Sequence, residues 1–233
     1  MASPRSHLFA STVVSIIVVA RRISKHSDPI VPKALLSIPS FRIAALATFV
    51  FGLGFFSMIL ALVLYLAQIA NYTTLQAGLA ISMLPIAATV SSNLSGHLAD
   101  RFGFRAIAIP GMLLFTLGSL WLRARAGTDP DYLIDLVPGL LGIGAGPAIL
   151  AGAGVSQVHS MHFSVAGAVS QTARQLSGAI GVAIVVAIIT SQNSATPTVE
   201  SFQWAFLYLA SVAALASVLA NRLPSRVLAK RSI

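Results

Sequence analysis

Two scarcities govern this sequence: none of its 233 residues is cysteine, and only 9% are charged. The first excludes disulfides, thiolate nucleophiles and thiolate metal sites, and it leaves the redox compartment open. The second removes the chain from the soluble class, where roughly a quarter of residues carry charge. With 56% hydrophobic residues and a mean hydropathy of +0.86, a soluble fold of this size has nowhere to hide its apolar surface. The solvent is therefore lipid. Acids are scarcer than bases: six Asp and Glu against fifteen Lys and Arg give a net charge of +9. The phosphate-cradling pattern that ends in Gly-Lys-Ser/Thr is also missing, which excludes ATP hydrolysis through such a loop.

A basic excess can signal nucleic-acid binding, but its placement here excludes that reading. Arg21, Arg22, Lys25, Lys33 and Arg42 form one cluster, Arg101 and Arg105 a second, and Arg222, Arg226, Lys230 and Arg231 a third. All three flank apolar runs, as the positive-inside rule demands of cytoplasmic connections.

A membrane helix needs about 20 apolar residues to cross a hydrocarbon core of about 30 Å. Six runs meet or approach this, over 41–70, 75–94, 104–122, 133–155, 165–190 and 202–220. Their connections are short and polar, so neighbours in sequence are antiparallel neighbours in space. In lipid every backbone polar group must be satisfied internally, and runs without strand alternation do this as helices. The predicted fold is all-α: six full spans within 41–221, a partial N-terminal span over 1–20, a cytoplasmic linker over 21–40 and a basic cytoplasmic tail over 222–233. The partial span rests on residues 8–20, which are apolar for only 13 residues before Arg21 and Arg22. Six crossings place the three basic clusters, with eleven Lys and Arg, on one side. Arg123 and Arg125 share the other side with Asp129, Asp131 and Glu200.

Between the second and third runs lies SGHLADRFGFRA, residues 95–106. Gly96, Asp100, Arg101, Gly103 and Arg105 concentrate charge and glycine in a tight turn. Gly103 permits backbone conformations closed to other residues. Asp100 can accept from a helix N-terminus or a guanidinium, and the arginines can hold that carboxylate or lipid phosphates. Such a cluster can act as a latch, made when the cytoplasmic helix ends close and broken when they part.

Four further features carry chemistry. Gly167, Gln171, Arg174, Gly178 and Gly181 recur at helical spacing on an apolar helix. Small residues let helices approach in lipid, and an intramembrane arginine faces the bundle interior or a watery cavity. Arg174 and Gln175 therefore line a translocation path, or Arg174 snorkels to the interface at the start of a shorter span. Gly142, Gly146 and Pro147 predict a hinge or a tight packing seam. Phe55 and Phe56 are adjacent and must point to different faces, so at least one faces inward as a possible substrate contact, or both simply pack. His159 and His162 have ligand-like spacing but no acidic or thiol partner, and His97 near Asp100 has no nucleophile beside it. No metal, cofactor or catalytic site is expected, and the chain does not read as an enzyme.

The 95–106 stretch resembles the G-x-x-x-D-R-x-G-R-[KR] loop of the major facilitator superfamily, with Phe104 where a basic residue is usual. SDPIVPKALLSIPSF (27–41) is similar to the segment before the second half of the fourteen-helix drug:proton antiporters, and AVSQTARQLSGAIGVAI (168–184) to their penultimate helix. Three ordered resemblances imply the C-terminal half of a proton-coupled exporter of amphipathic or cationic small molecules, multi-pass in a bacterial plasma membrane, with its C-terminus cytoplasmic. The resemblance also implies that the coupling acid belongs to an absent N-terminal half. The chain is then expected to be incomplete alone, and to need that six- to eight-helix half or a homodimer. A non-transporting fragment that only packs with other helices is the alternative.

Overall fold

The structure is a computed structural model that describes residues 39–102, 105–150, 163–191 and 196–221. The described residues are helical apart from short connections and contain no strand. Seven α-helices follow in order: α1 (Pro39–Gln68), α2 (Thr74–Ile81), α3 (Met83–Phe102), α4 (Arg105–Arg125), α5 (Val137–Leu150), α6 (Phe163–Thr190) and α7 (Val199–Asn221). One π-helical turn, Tyr132–Leu136, leads into α5. The partial span expected over 1–20, the linker to residue 38 and the basic tail from 222 lie outside the described residues. Ile43–Ile233 forms a compact unit, and the contacts below are within it.

Five helical segments are long and apolar enough to cross a bilayer: Leu46–Gln68, Thr74–Ser95, Ala106–Arg125, Gln171–Thr190 and Val199–Asn221. A sixth, Tyr132–Gly146, is apolar but shorter. It corresponds to the run expected over 133–155, whose last residues are not described.

Two of the expected spans are interrupted, each just before a proline. α2 and α3 together occupy the run expected to be one helix, and they part at Ser82. Pro85 has no N–H for the carbonyl of Ile81, and its ring crowds that carbonyl. The Ser82 hydroxyl turns back onto the Leu79 carbonyl at 2.6 Å. Similarly, Pro138 cannot donate to Ile134. The turn ahead of it widens, so that the Val137 N–H reaches the Tyr132 carbonyl.

α1 and α7 form the centre. On α1 the buried residues Ala47, Val50, Phe51, Met58, Ala61, Leu62, Tyr65 and Leu66 recur at three- and four-residue spacing. α7 buries Phe202, Ala205, Phe206, Leu209, Ala213 and Ala216 in the same rhythm. The Tyr65 ring stands edge-on to Phe202 and Phe206, both at 5.7 Å. Such offset aromatic contacts add to packing where lipid supplies little hydrophobic drive.

Around this centre, glycines set the helix spacing. A Cβ on Gly118 of α4 would lie 2.6 Å from the Gly139 carbonyl oxygen and 2.8 Å from the Ile143 nitrogen of α5. A Cβ on Gly146 would lie 2.7 Å from the Gly111 carbonyl oxygen, and one on Gly144 would lie 2.7 Å from the Leu84 carbonyl oxygen of α3. α5 is thus clasped between α3 and α4 backbone to backbone. A second seam joins α1 to α6, where Gly52 meets Ser177 and the Arg174 carbonyl, and Gly181 meets the Leu53 carbonyl.

Candidate functional site

The turn expected across 96–105 is shorter than the hydropathy suggests. α3 continues to Phe102 and α4 begins at Arg105, so only residues 103–104 separate them. Helices outlast their apolar runs because intrahelical hydrogen bonding continues into the polar boundary. Side chains reinforce this turn by turn: Thr89 Oγ1 donates to the Pro85 carbonyl at 2.8 Å, and His97 Nδ1 lies 3.0 Å from the Asn93 carbonyl. Asp100 and Arg101 therefore occupy the last turn of α3, and Arg105 the first of α4. Gly103 lies outside the described residues, as do the side chains of Gly96, Asp100, Arg101 and Arg105.

The polar stripe expected on α6 divides between two environments. Ser177, Gly178 and Gly181 are buried, with Gly178 directly against the Phe56 ring. Gln171 and Gln175 are exposed, on the surface that also carries Leu176 and Ile180. Arg174 is half-buried between them. Its Nη2 donates to Gln171 Oε1, one turn toward the start of the helix, and its carbonyl accepts from Ser177 Oγ at 3.0 Å. The guanidinium is thus directed toward Gln171, the first residue of the span.

Phe55 and Phe56 diverge as their adjacency requires. Phe56 turns to α6. Phe55 stacks on Phe51 at 5.5 Å and packs with the cluster of Val50, Met112 and Val212, between α1, α4 and α7. A small apolar void of about 10 Å³ lies in this region, lined by Phe51, Gly54, Met112, Phe115, Val212 and Ala216. Small-molecule pockets run to about 300–1,000 Å³, so this void is no binding chamber by itself. The nearby Tyr208 hydroxyl is buried without a hydrogen-bond partner among the described residues.

Gly142 and Gly146 form part of the α4–α5 seam. Pro147 continues helical in α5, with its side chain outside the described residues. His159 and His162 fall in the undescribed segment. Among the described residues no group of His, Asp or Glu is placed to hold a metal.

Sequence spacing did not reveal the polar network at the far end of α4. Arg125 Nε pairs with Asp135 Oδ1 at 2.8 Å and its guanidinium stands over Trp121 at 5.7 Å. Asp135 Oδ2 also accepts from the Asp131 N–H at 2.9 Å, while Asp131 Oδ1 accepts from the Leu133 and Ile134 N–H groups. These bonds form a reciprocal cap, with the returning acid one position later than usual, as a π-wound first turn requires. Arg123 Nη1 donates to the Gln203 carbonyl at 3.2 Å. The Tyr65 hydroxyl donates to the Gly127 carbonyl at 2.9 Å and accepts from its N–H at 3.1 Å. Gln203 Nε2 donates to the Ala126 carbonyl at 3.4 Å, so α1, α7 and the π turn are all tied to the loop that follows α4. Burial, then Tyr132, Asp131 and Asp129, raise the Tyr72 phenol above its ordinary value.

Residues 44–231 match the sequence model of the Major Facilitator Superfamily. The chain belongs to that superfamily. It is 27% identical to an uncharacterised MFS-type transporter of Bacillus subtilis, over 73% of this chain and 32% of that protein. It is 26% identical to the methylenomycin A resistance protein of Streptomyces coelicolor, over 82% of the chain and 41% of the relative. With the puromycin resistance protein of Streptomyces alboniger the identity is 28%, over 78% and 37%. The chain thus spans about a third to two fifths of the length of these relatives. As a major facilitator protein with multiple apolar helices it is a multi-pass membrane protein, akin to transporters rather than to an enzyme family.

Proposed function

We propose that this chain supplies one half of a proton-coupled drug exporter and works against a second six- to eight-helix half, or against a second copy of itself. The observation that carries the reading is kinship with resistance proteins across most of this chain but under half of each of them. In facilitators built from two such bundles, substrate binds near the midplane between them, and rocking gives alternating access. The exposed surface of α6 at Gln171, Gln175 and Leu176, with Arg174 at its edge, is the stretch of this bundle suited to face that path. Phe56, over Gly178, backs it. Gly96, Asp100, Arg101, Gly103 and Arg105 form the cytoplasmic latch, and the glycine-lined start of Gly142-x-x-x-Gly146-Pro147 lets α5 move with α4.

The positions of the acids support dependence on a partner. Among the described residues all five, Asp100, Asp129, Asp131, Asp135 and Glu200, lie at or beyond helix ends. None of these acids can load a proton at mid-depth, which favours a distinct second half, able to bring its own carboxylate, over a second copy of this chain. Vesicles holding this chain, with and without an N-terminal half from a resistance relative, test the reading through pH-driven efflux of a cationic dye. Efflux only with both halves supports it. No efflux in either arm, with both polypeptides shown to be inserted and associated, supports a packing fragment that does not transport.

A further inference from the structure

Arg123 and Glu200 approach the same indole from different elements. The Arg123 guanidinium stands 5.2 Å over the Trp204 ring, and Trp204 Nε1 donates to Glu200 Oε1 at 3.4 Å. The two charges do not pair. Among the described residues the ion pair is Arg125 with Asp135, which neutralises the neighbouring arginine and leaves Arg123 without a carboxylate partner there. Among the described residues Arg123 commits one donor to protein, through the Gln203 carbonyl.

Depth follows from α4. Its 21 residues span about 31 Å, so Arg123 lies at the opposite end from Arg105, at the height of a second headgroup layer. Trp204 is 48% exposed, as suits an indole at a membrane interface. Below it on the same face of α7 run exposed Ser211, Leu215 and Val218, the last two apolar and at acyl-chain depth.

The geometry points to a site for a zwitterionic phospholipid with a primary ammonium: its phosphodiester on Arg123, its ammonium on Glu200 and its chain along α7. A fixed cation and a fixed anion on either side of one indole, each short of an opposite charge, match that headgroup in sign at both ends. A purely anionic lipid would meet Glu200 unfavourably. A quaternary ammonium has no N–H to donate to the carboxylate. The inference rests on the bilayer location and not on the export reading.

The chain has two tryptophans, so Trp121→Phe leaves Trp204 as the sole indole reporter. The test titrates the purified 233-residue Trp121→Phe chain in detergent with phosphatidylethanolamine, phosphatidylcholine or phosphatidylglycerol, reading Trp204 emission and the thermal midpoint. Saturable shifts are expected with phosphatidylethanolamine, at about tenfold lower concentration than with the other two, as loss of one charged hydrogen bond implies. Glu200→Gln should abolish the preference over phosphatidylcholine, and Arg123→Gln should weaken all three lipids. Should Arg123→Gln not fold, Arg123→Lys, which keeps the charge, should retain the preference. Equal response to phosphatidylethanolamine and phosphatidylcholine, a stronger response to phosphatidylglycerol, or an unchanged preference in Glu200→Gln overturns the inference.

Discussion

Gly118→Ala and Gly78→Ala add the same methyl group to helices in opposite surroundings. At Gly118 the new Cβ would lie 2.6 Å from one backbone atom of α5 and 2.8 Å from another. No flexible side chain can yield there, and α4 and α5 must separate by about 0.8 Å to restore ordinary contact, an overpacking cost of roughly 1–3 kcal/mol. At Gly78 of α2 nothing lies within 4 Å, so only the helix-propensity gain of up to about 1 kcal/mol remains. That gain applies at both sites, so the difference between the two variants isolates the clash. Thermal unfolding of the purified chain in matched detergent should place Gly118→Ala below the parent and Gly78→Ala at or above it. Gly118→Leu should fall further or fail to assemble. If the two alanine variants melt together, α4 and α5 do not meet backbone to backbone, and the reasoning fails.

Three other outcomes follow from named contacts. Asp131→Ala removes a side-chain acceptor shared by two N–H groups and should cost about 1 kcal/mol, read as a lower midpoint, while Asp129→Ala should be nearly silent. Tyr65→Phe leaves both the Gly127 carbonyl and N–H without the phenol; a loss of roughly 1–3 kcal/mol is expected, together with faster hydrogen exchange at Gly127. Asp100→Asn should leave membrane insertion intact and shift the balance of inward- and outward-open forms in an assembled transporter, with Arg105→Ala acting in the same direction more weakly. Unchanged labelling of cytoplasmic-end cysteines in both would remove the latch.

Hydropathy found a helical apolar segment under each expected run that is described, because length and apolarity are the properties a bilayer selects. It could not locate helix ends, since α3 runs on through Ser95, His97 and Asp100 after the apolar run has stopped. Pro85 and Pro138 were visible as residues, but whether a proline kinks, splits or widens a helix depends on what carbonyl it faces. Gly142 and Gly146 stood out by their spacing, yet their partners Gly111 and Gly118 lie on another helix, and one sequence does not say which helices touch. The heptad interval between those two glycines was the signal that went unused. Arg125 was read as one charge among several at one membrane face, with nothing in the spacing to tie it to Asp135. Their pairing needed the π turn, which brings Asp135 round to meet both Asp131 and Arg125.

The central claim is a bundle that crosses the bilayer with its basic connections on one side. The absence of native cysteine makes that directly measurable, with single replacements Lys33→Cys and His97→Cys at one end, and Thr128→Cys and Thr196→Cys at the other. A membrane-impermeant maleimide added to intact cells should label Thr128→Cys and Thr196→Cys, and should reach Lys33→Cys and His97→Cys only after permeabilisation. Labelling of His97→Cys and Thr128→Cys from the same side would contradict the account.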